Sequence, residues 1–211
     1  FVYSHLGTSH QATEDIAFMT TLPNMKVFCP CDDRSTRAVF DLAMGTPGPV
    51  FTRLMRDNYF DLYEAKTEFR LGGSHVLREG RDLTIVTYGD LVFQSLEAAE
   101  LLAKEGIEAE VIDMYSIKPF DQEGLLKSIN KTGALLVAEN HQARNGLGYE
   151  LGVFCLKHRP VAFDNLGLED KFGESGKYEL VIDKYGMSAR RIAERAKAVC
   201  QKRSSSTPAK S

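Results

Sequence analysis

Two histidines near the start of the chain, His5 and His10, stand between a predicted strand end and a predicted helix start. Residues that bind or react with a ligand often occupy this position. Residues 1–4 have the pattern of a β-strand end. A short glycine-containing loop then leads into an amphipathic helix. In open α/β sheets, ligands bind beyond the carboxyl ends of the strands. Helix N-termini at that edge also offer free N–H groups to phosphate. The two histidines are therefore predicted to lie at an active-site edge.

The closely spaced Cys29 and Cys31 could belong to a metal or redox site. No second pair of cysteines or histidines has metal-binding spacing, however, and Cys29 ends an apolar strand pattern. Free cysteines are commonly buried like small apolar residues. We therefore expect no metal site and a reducing, cytoplasmic compartment.

Composition narrows the possible partners. The 211 residues are 43% hydrophobic and 26% charged, which is typical of a globular protein large enough for one large or two small domains. The net charge of −3 makes no electrostatic case for nucleic acid or an anionic membrane. No apolar run approaches the roughly 20 residues of a membrane-spanning helix. We expect neither nucleic acid nor membrane as a partner.

Apolar patterns in the first part of the chain alternate between strand and helix. After the strand end at 1–4, Thr8 and Gln11 have capping-box spacing before a helix that Pro23 ends. A strand at 25–28, a helix at 34–44 that the pair Asp32-Asp33 can cap, and a strand at 49–54 follow. This βαβ order predicts a parallel sheet. These strands alone would leave the sheet incomplete, so we expect further residues to precede Phe1 in the whole protein.

A second α/β series follows an irregular linker at residues 58–82, which holds one short strand at 74–77. Strands are predicted at 83–88, 107–114, 134–138 and 161–163. Helices are predicted at 91–105, 121–129, from 145 onward, 177–184 and 188–199. The predicted fold class is thus α/β, with two open-sheet modules at residues 1–57 and 83–201. The basic, serine-rich residues 202–211 are expected to be a disordered tail.

Five sequence blocks resemble the transketolase family, in the same order and over nearly the whole chain. The first, GTSHQATEDIAFMTTLPNMKVFCPCD, contains the family's Ser/Thr-His-Gln loop and Leu-Pro-Asn turn. VFTRLMRD resembles the family's next strand. The others are VIDMYSIKPFD, LVAENHQARNGLGYEL and LGLEDKFGESGKYELVIDKYGMSARRI. The chain resembles the C-terminal subunit of transketolases that are split into two chains, or the C-terminal half of a single-chain transketolase.

The resemblance implies thiamine diphosphate chemistry, in which a two-carbon ketol unit passes from a ketose phosphate to an aldose phosphate. Residues 1–57 would be part of the pyrimidine-binding domain, and 83–201 the C-terminal domain with its mixed sheet. In the family, Mg²⁺ is held by a pyrophosphate-binding domain, which this sequence does not contain. We therefore expect a partner subunit or segment, a homodimer or heterotetramer, and no activity of this chain alone.

The resemblance also implies roles for four residues. His10 matches a histidine that lines the substrate channel beside the cofactor, so it is a catalytic and cofactor-binding candidate. An imidazole there can exchange protons with a sugar hydroxyl near neutral pH. His5 matches a second substrate-binding histidine, and Arg56 matches an arginine that binds the substrate phosphate, with Arg53 as its rival. The alternatives are a helix-supporting His10, a strand-end His5 and a solvated arginine.

The sequence departs from the family in the loop between His5 and His10, which is usually longer, acidic and glycine-rich. Either the loop is shortened here or residues are omitted between His5 and Gly7; we expect the second. In the second module, Glu139 and His141 could suggest acid–base chemistry. We expect a structural role instead, with His141 a hydrogen-bonded loop histidine beside glycine turns.

Two other functions stay open at this point. The β-subunit of a 2-oxoacid dehydrogenase shares the two-domain arrangement, but the block GESGKYELVIDKYG favours transketolase. A non-catalytic assembly module is favoured by the incomplete first sheet. An unpaired sheet edge normally needs a cover, and this also predicts an assembly larger than a monomer.

Overall fold

The computed structural model describes residues 1, 3–56 and 61–206. They form an α/β fold with two sheets, as the sequence predicts. The strands are β1 (Lys26–Phe28), β2 (Val50–Thr52), β3 (His75–Arg78), β4 (Leu83–Thr87), β5 (Ala109–Asp113), β6 (Ser116–Lys118), β7 (Ala134–Gln142) and β8 (Ala162–Leu168). The helices are α1 (Asp15–Thr21), α2 (Asp33–Met44), α3 (Leu91–Ala103), α4 (Gln122–Thr132), α5 (Leu147–His158), α6 (Tyr178–Lys184) and α7 (Ala189–Ser206).

The second sheet has the order β3-β5-β4-β7-β8, in which only the β3–β5 pairing is antiparallel. It is the mixed sheet expected for the second module. Its two faces carry separate apolar clusters because successive side chains of a strand point to opposite faces. Ile85 faces the cluster that packs on α3 and α7, and Val86 faces the other.

The first sheet contains a strand that the sequence analysis missed. β1 pairs in parallel with β2, as predicted, but its other edge pairs antiparallel with β6. β6 follows the second module's β5 after two residues, so one connection enters both sheets. Lys118 reinforces the junction, because its Nζ donates to the carbonyls of Thr20 and Leu22 at 2.6 and 2.7 Å. The first sheet is therefore mixed rather than purely parallel.

One apolar cluster spans the two modules. Ile16 and Val27 of the first module are fully buried with Val86, Val137 and Leu151 of the second. Burial of this kind stabilises by about 1.5–3 kcal/mol for each large aliphatic side chain. The modules are thus packed on each other, which fixes where the predicted active-site edge lies.

Local capping signals are confirmed at two helices. The Asp32 carboxylate accepts from the Ser35 N–H at 2.7 Å, and the Ser35 hydroxyl in turn accepts from the Asp32 N–H at 3.0 Å. This reciprocal pair starts α2. Asp121 caps α4 by accepting from the Gly124 N–H at 2.9 Å. Each cap joins residues three apart, so the pattern is complete within the local sequence.

The N-terminal prediction is wrong. Residues 4–10 form a 3₁₀ stretch, Ser4–His10, which we call the histidine segment, and residues 1–4 form no strand in the described part. Thr8 and Gln11 do not cap a helix; their side chains bond residues 173 and 174 instead. α1 begins only at Asp15. Within the histidine segment, Gly7 has a φ of +69° and interrupts the 3₁₀ geometry.

The C-terminal helix is longer than predicted. α7 continues to Ser206, where the sequence suggested a disordered tail from residue 202. Arg203 gives the reason, because its Nη1 donates to the Thr132 carbonyl at 2.8 Å and also to the Asp82 carbonyl. Residues 207–211 lie outside the described residues. In the part of the chain that the structure describes, no helix has the length and apolarity to cross a membrane.

Candidate active site

Three of the predicted site residues gather around Tyr3, which the sequence analysis did not single out. The Tyr3 ring centroid lies 4.5 Å from that of His5 and 6.1 Å from that of His10. The Arg56 guanidinium carbon lies 4.4 Å from the same centroid, a cation–π contact. Both imidazoles are exposed, and His10 Nδ1 is 3.0 Å from the Ser9 hydroxyl. In the sequence, the one feature that could have pointed to Tyr3 as a site residue is its aromatic ring two positions before His5.

A small cavity of about 180 Å³ opens beside this cluster. His10, Arg53 and Arg56 contribute to its wall, whereas His5 contacts Tyr3 without lining the cavity. Its lining residues are Phe1, Tyr3, His10, Gln11, Ala12, Arg53, Leu54, Met55, Arg56, Asp90 and Asn140. Asp90 and Asn140 come from the second module, so both modules build the cavity. Their separation from His10 in the sequence explains why residue patterns missed them.

Arg53 forms the polar floor of the cavity and is mostly buried. Its Nη2 donates to the carbonyls of Ala12 and Asn140 at 2.7 and 2.8 Å, and its Nε lies 3.6 Å from the Asp15 carboxylate. Burial by itself would lower the pKa of Arg53, but the surrounding charges, Asp15 first, raise it above its usual value. Arg53 is therefore a charged link between the two modules.

Two buried polar atoms at this floor have no partner among the described residues. They are Arg53 Nη1 and Asn140 Oδ1. The Asn140 amide nitrogen donates to the Asp90 carboxylate at 2.8 Å, which leaves the oxygen as an acceptor. A buried donor and acceptor without partners are costly unless a ligand or water meets them. The residues at this floor therefore keep unused hydrogen-bonding capacity next to the cavity.

His141 has the structural role that the sequence predicts, although it lies in β7 and not in a loop. Its Nδ1 is 2.7 Å from the Gln142 carbonyl, and its Nε2 accepts from the Ala17 N–H at 3.3 Å. Burial lowers the pKa of His141, which favours the neutral imidazole that this acceptance needs. The ring therefore holds the start of α1, the helix that follows the histidine segment.

Glu139 is buried and also serves the backbone. Its carboxylate accepts from the N–H groups of Leu147 and Gly148 at 2.9 and 3.0 Å and from the Tyr88 hydroxyl at 3.0 Å. Burial raises the pKa of Glu139 to about 7. Gly146 is required beside it, because a Cβ there would lie 2.3 Å from a carboxylate oxygen. Glu139 thus provides hydrogen-bond acceptors for the first N–H groups of α5.

The described residues show no group of three or more His, Cys, Asp or Glu side chains that could hold a metal ion. Cys29 and Cys31 are buried, as expected of apolar thiols, and burial raises the pKa of both. The site's side chains are mainly imidazoles and guanidiniums, which can donate hydrogen bonds to oxygen atoms. The chain's described side chains offer no comparable set of carboxylates for a diphosphate-bound magnesium ion.

The fold and the cavity define a two-module α/β protein with a ligand edge shared by both modules. The chain belongs to the transketolase family. Its residues 2–61 match the family model for the transketolase pyrimidine-binding domain, and residues 72–192 match that for the transketolase C-terminal domain. The transketolases are a transferase-type enzyme family that depends on thiamine diphosphate.

Related proteins include subunits of divided enzymes. The chain is 38% identical to 6-deoxy-6-sulfo-D-fructose transketolase subunit SqwH of Clostridium sp. (strain MSTE9), with coverage of 93% of this chain and 61% of that protein. It is 36% identical to a subunit of the apulose-4-phosphate transketolase of Phocaeicola vulgatus, covering 92% and 62%. The chain thus spans about six-tenths of the length of these relatives.

Solved structures agree with this assignment. A protein described as a split gene transketolase, inactive beta4 tetramer, superposes with a TM-score of 0.87 at 39% identity, over 93% of this chain and 64% of that one. A transketolase from Pichia stipitis shares the fold at a TM-score of 0.77 and 22% identity, over 97% and 29%. Of the three functions open from the sequence, the comparisons support the transketolase part.

Proposed function

We propose that the chain is the C-terminal part of a transketolase that transfers a two-carbon ketol unit from a ketose phosphate to an aldose phosphate. The observation that carries the proposal is the convergence of His5, His10 and Arg56 on Tyr3 at the mouth of a polar cavity. These residue types are suited to sugar hydroxyls and a phosphate. If the histidines only supported the fold and the arginine were only a solvated charge, the three side chains would have no reason to meet at one tyrosine.

His10 is the proposed catalytic residue and lies next to the cofactor. Because its Nδ1 faces the Ser9 hydroxyl at 3.0 Å, we assign Nε2 to the substrate hydroxyl. There the imidazole can accept the proton of that hydroxyl and return it. His5 is assigned a hydrogen bond to the same sugar. The exposure of both rings is compatible with a channel that a ligand enters from solvent or that a second chain completes.

Arg56 is the proposed phosphate ligand. Its guanidinium carbon lies 4.4 Å from the Tyr3 ring centroid at the cavity wall. A guanidinium in this position can offer two parallel bonds to phosphate oxygens. Arg53 is committed to two carbonyls and to Asp15, so its contribution is limited to Nη1 at the cavity floor. We therefore retain Arg53 as a substrate-binding residue through that one nitrogen.

Thiamine diphosphate would carry the two-carbon unit between the two sugars. His10, at the cavity rim, would be this chain's contact with the cofactor. Mg²⁺ and the diphosphate are assigned to a pyrophosphate-binding subunit or segment. This division accords with the subunit names of the relatives and with a split-gene structure described as an inactive beta4 tetramer.

The remaining assignments are part of the same proposal. The domain division at residues 57 and 83 follows the two α/β series, and a homodimer or heterotetramer follows from the resemblance and the unpaired sheet edge. A cytoplasmic location follows from the free cysteines. The substrates are proposed to be sugar phosphates as a class. The relatives are named for different sugars, 6-deoxy-6-sulfofructose and apulose 4-phosphate, so the exact donor is left to experiment.

The test is reconstitution. The chain is co-expressed with a segment or subunit that carries the pyrophosphate-binding domain, and thiamine diphosphate and Mg²⁺ are added. We expect turnover of xylulose 5-phosphate with ribose 5-phosphate, loss of that turnover when either chain is omitted, and no decarboxylation of pyruvate. Pyruvate turnover would support the dehydrogenase alternative. A reconstituted complex that binds the cofactor but turns over neither the sugars nor pyruvate would support the assembly module.

A further inference from the structure

A loop of the second module, residues 172–176, lies against the histidine segment between Ser4 and Thr8. At one end, the Ser4 hydroxyl donates to the Gly176 carbonyl at 2.8 Å, and the Gly176 N–H donates to the Ser4 carbonyl at 3.2 Å. At the other end, the Thr8 hydroxyl donates to the Gly173 carbonyl at 2.8 Å. These contacts join residues more than 160 positions apart in the chain.

Ser175 makes the contact nearest to a site residue. Its hydroxyl donates to the backbone carbonyl of His5 at 2.6 Å. Its Cβ also lies 3.3 Å from the position that a Cβ would take on Gly7, whose φ of +69° favours glycine. The loop and the segment are thus in close contact on both sides of His5.

The same loop reaches the residue after His10. The Gln11 amide donates to the Glu174 carbonyl at 3.0 Å, and a Cβ on Gly173 would lie 1.8 Å from the Gln11 side-chain oxygen. The His5 and His10 rings themselves are exposed. Their positions therefore depend on how firmly the backbone beneath them is held. A seven-residue 3₁₀ stretch interrupted at Gly7 has little internal rigidity of its own.

We infer that the 172–176 loop is a positioning element for the imidazoles of His5 and His10, and that Ser175 is its principal positioning residue. The inference rests on the proposed function for its effect on catalysis. It gives the second module a role at the site: that module sets where the histidines stand, although Ser175 itself bonds only backbone. No step of the reaction passes through Ser175.

The kinetic test compares two substitutions in the reconstituted complex. Ser175→Ala removes the hydroxyl that holds His5, whereas Ser175→Thr keeps it. Since a 1 Å misplacement at an active site can cost about 100-fold in rate, we expect kcat/KM to fall about tenfold in the alanine variant and to recover in the threonine variant. Ser204→Ala is the matched control, because it removes an exposed hydroxyl that bonds a backbone carbonyl in α7. Equal kinetics in all three variants would overturn the inference.

A second measurement does not depend on catalysis. In the full chain, imidazole NMR signals report the surroundings of each histidine. We expect Ser175→Ala to shift or broaden the His5 and His10 signals and to leave that of the exposed His158 unchanged. Signals of His5 and His10 identical to those of the unaltered chain would refute the positioning role, whether or not the complex transfers ketol units. Failure of the proposed function would instead appear as an unaltered complex without turnover.

Discussion

The imidazole of His141 accepts the backbone N–H of Ala17 at 3.3 Å, so a residue of the second module caps a helix of the first. The first N–H groups of any helix lack partners within the helix. Glu14, at the N-cap of α1, makes no side-chain capping bond. The bond to His141 meets this need from the end of β7. It couples the histidine segment, which precedes α1, to the second module.

Replacing His141 should destabilise the protein. His141→Ala removes the acceptor for the Ala17 N–H and leaves a space among buried residues, so we expect a loss of about 1–3 kcal/mol in the free energy of unfolding. Urea denaturation followed by circular dichroism measures it. His158→Ala is the control, because His158 is exposed at the end of α5. Equal midpoints for the two variants would contradict the capping role.

The same bond predicts a pH dependence. Burial lowers the pKa of His141 in the folded state, so the unfolded chain binds a proton at this residue more readily. The stabilisation is therefore fully present above the ordinary histidine pKa of about 6.5 and is lost as the pH falls below it. The difference in unfolding free energy between the unaltered chain and His141→Ala should shrink between pH 7 and pH 5. A constant difference between pH 7 and pH 5 would contradict the role of the neutral His141 imidazole.

The contribution of Asp113 to the free energy of unfolding should have the opposite pH dependence. Its buried carboxylate accepts from the Tyr63 hydroxyl at 2.6 Å and faces Cys31 and Asp32, and burial raises its pKa to about 7. The folded state then holds a proton that the unfolded state releases near pH 4. The stabilisation is fully present below about pH 4 and declines as the pH rises from there to about 7, by an amount on the order of 4 kcal/mol. Asp113→Asn should flatten this decline in urea titrations at pH 4 to 8, and an unchanged slope would refute it.

The two arginines should separate stability from substrate affinity. Arg53→Met breaks the links to Asp15, Ala12 and Asn140, and removing one partner of a buried ion pair costs about 3–5 kcal/mol. Arg56→Met should leave the melting temperature nearly unchanged and raise KM for the sugar phosphate about 10- to 100-fold. Melting curves and kinetics of the reconstituted complex test both. If Arg53→Met alone raised KM while stability held, the assignments would have to be exchanged.

His10 should affect turnover more than stability. Its ring is exposed and its one side-chain bond in the described part is to Ser9. His10→Asn should therefore keep the melting temperature and lower kcat by about 10²- to 10⁴-fold, the range for a lost proton-transfer group. His5→Asn is the paired variant, for which we expect mainly a higher KM. A His10→Asn complex with unaltered kcat would remove His10 from the chemistry.

The sequence by itself determined the fold class, the family, most elements and three of the residues that cluster at the site. The capping box of Asp32 and Ser35 shows why, since both partners and their geometry lie within four residues. The βαβ order and the motif around His10 are likewise local patterns. Patterns that involve only residues close in sequence can be interpreted without knowing where the rest of the chain lies.

Only the tertiary structure decided how those residues are held. Thr8 and Gln11 match a capping box, yet their side chains bond carbonyls at 173 and 174, because a partner from a distant segment replaced the local one. β6, the floor of Arg53, Asp90 and Asn140, and the cap from His141 also depend on the packing of one module on the other. Local sequence patterns do not report contacts between residues that are 50 or more positions apart. These interactions form only after the apolar cluster shared by the two modules has brought them together.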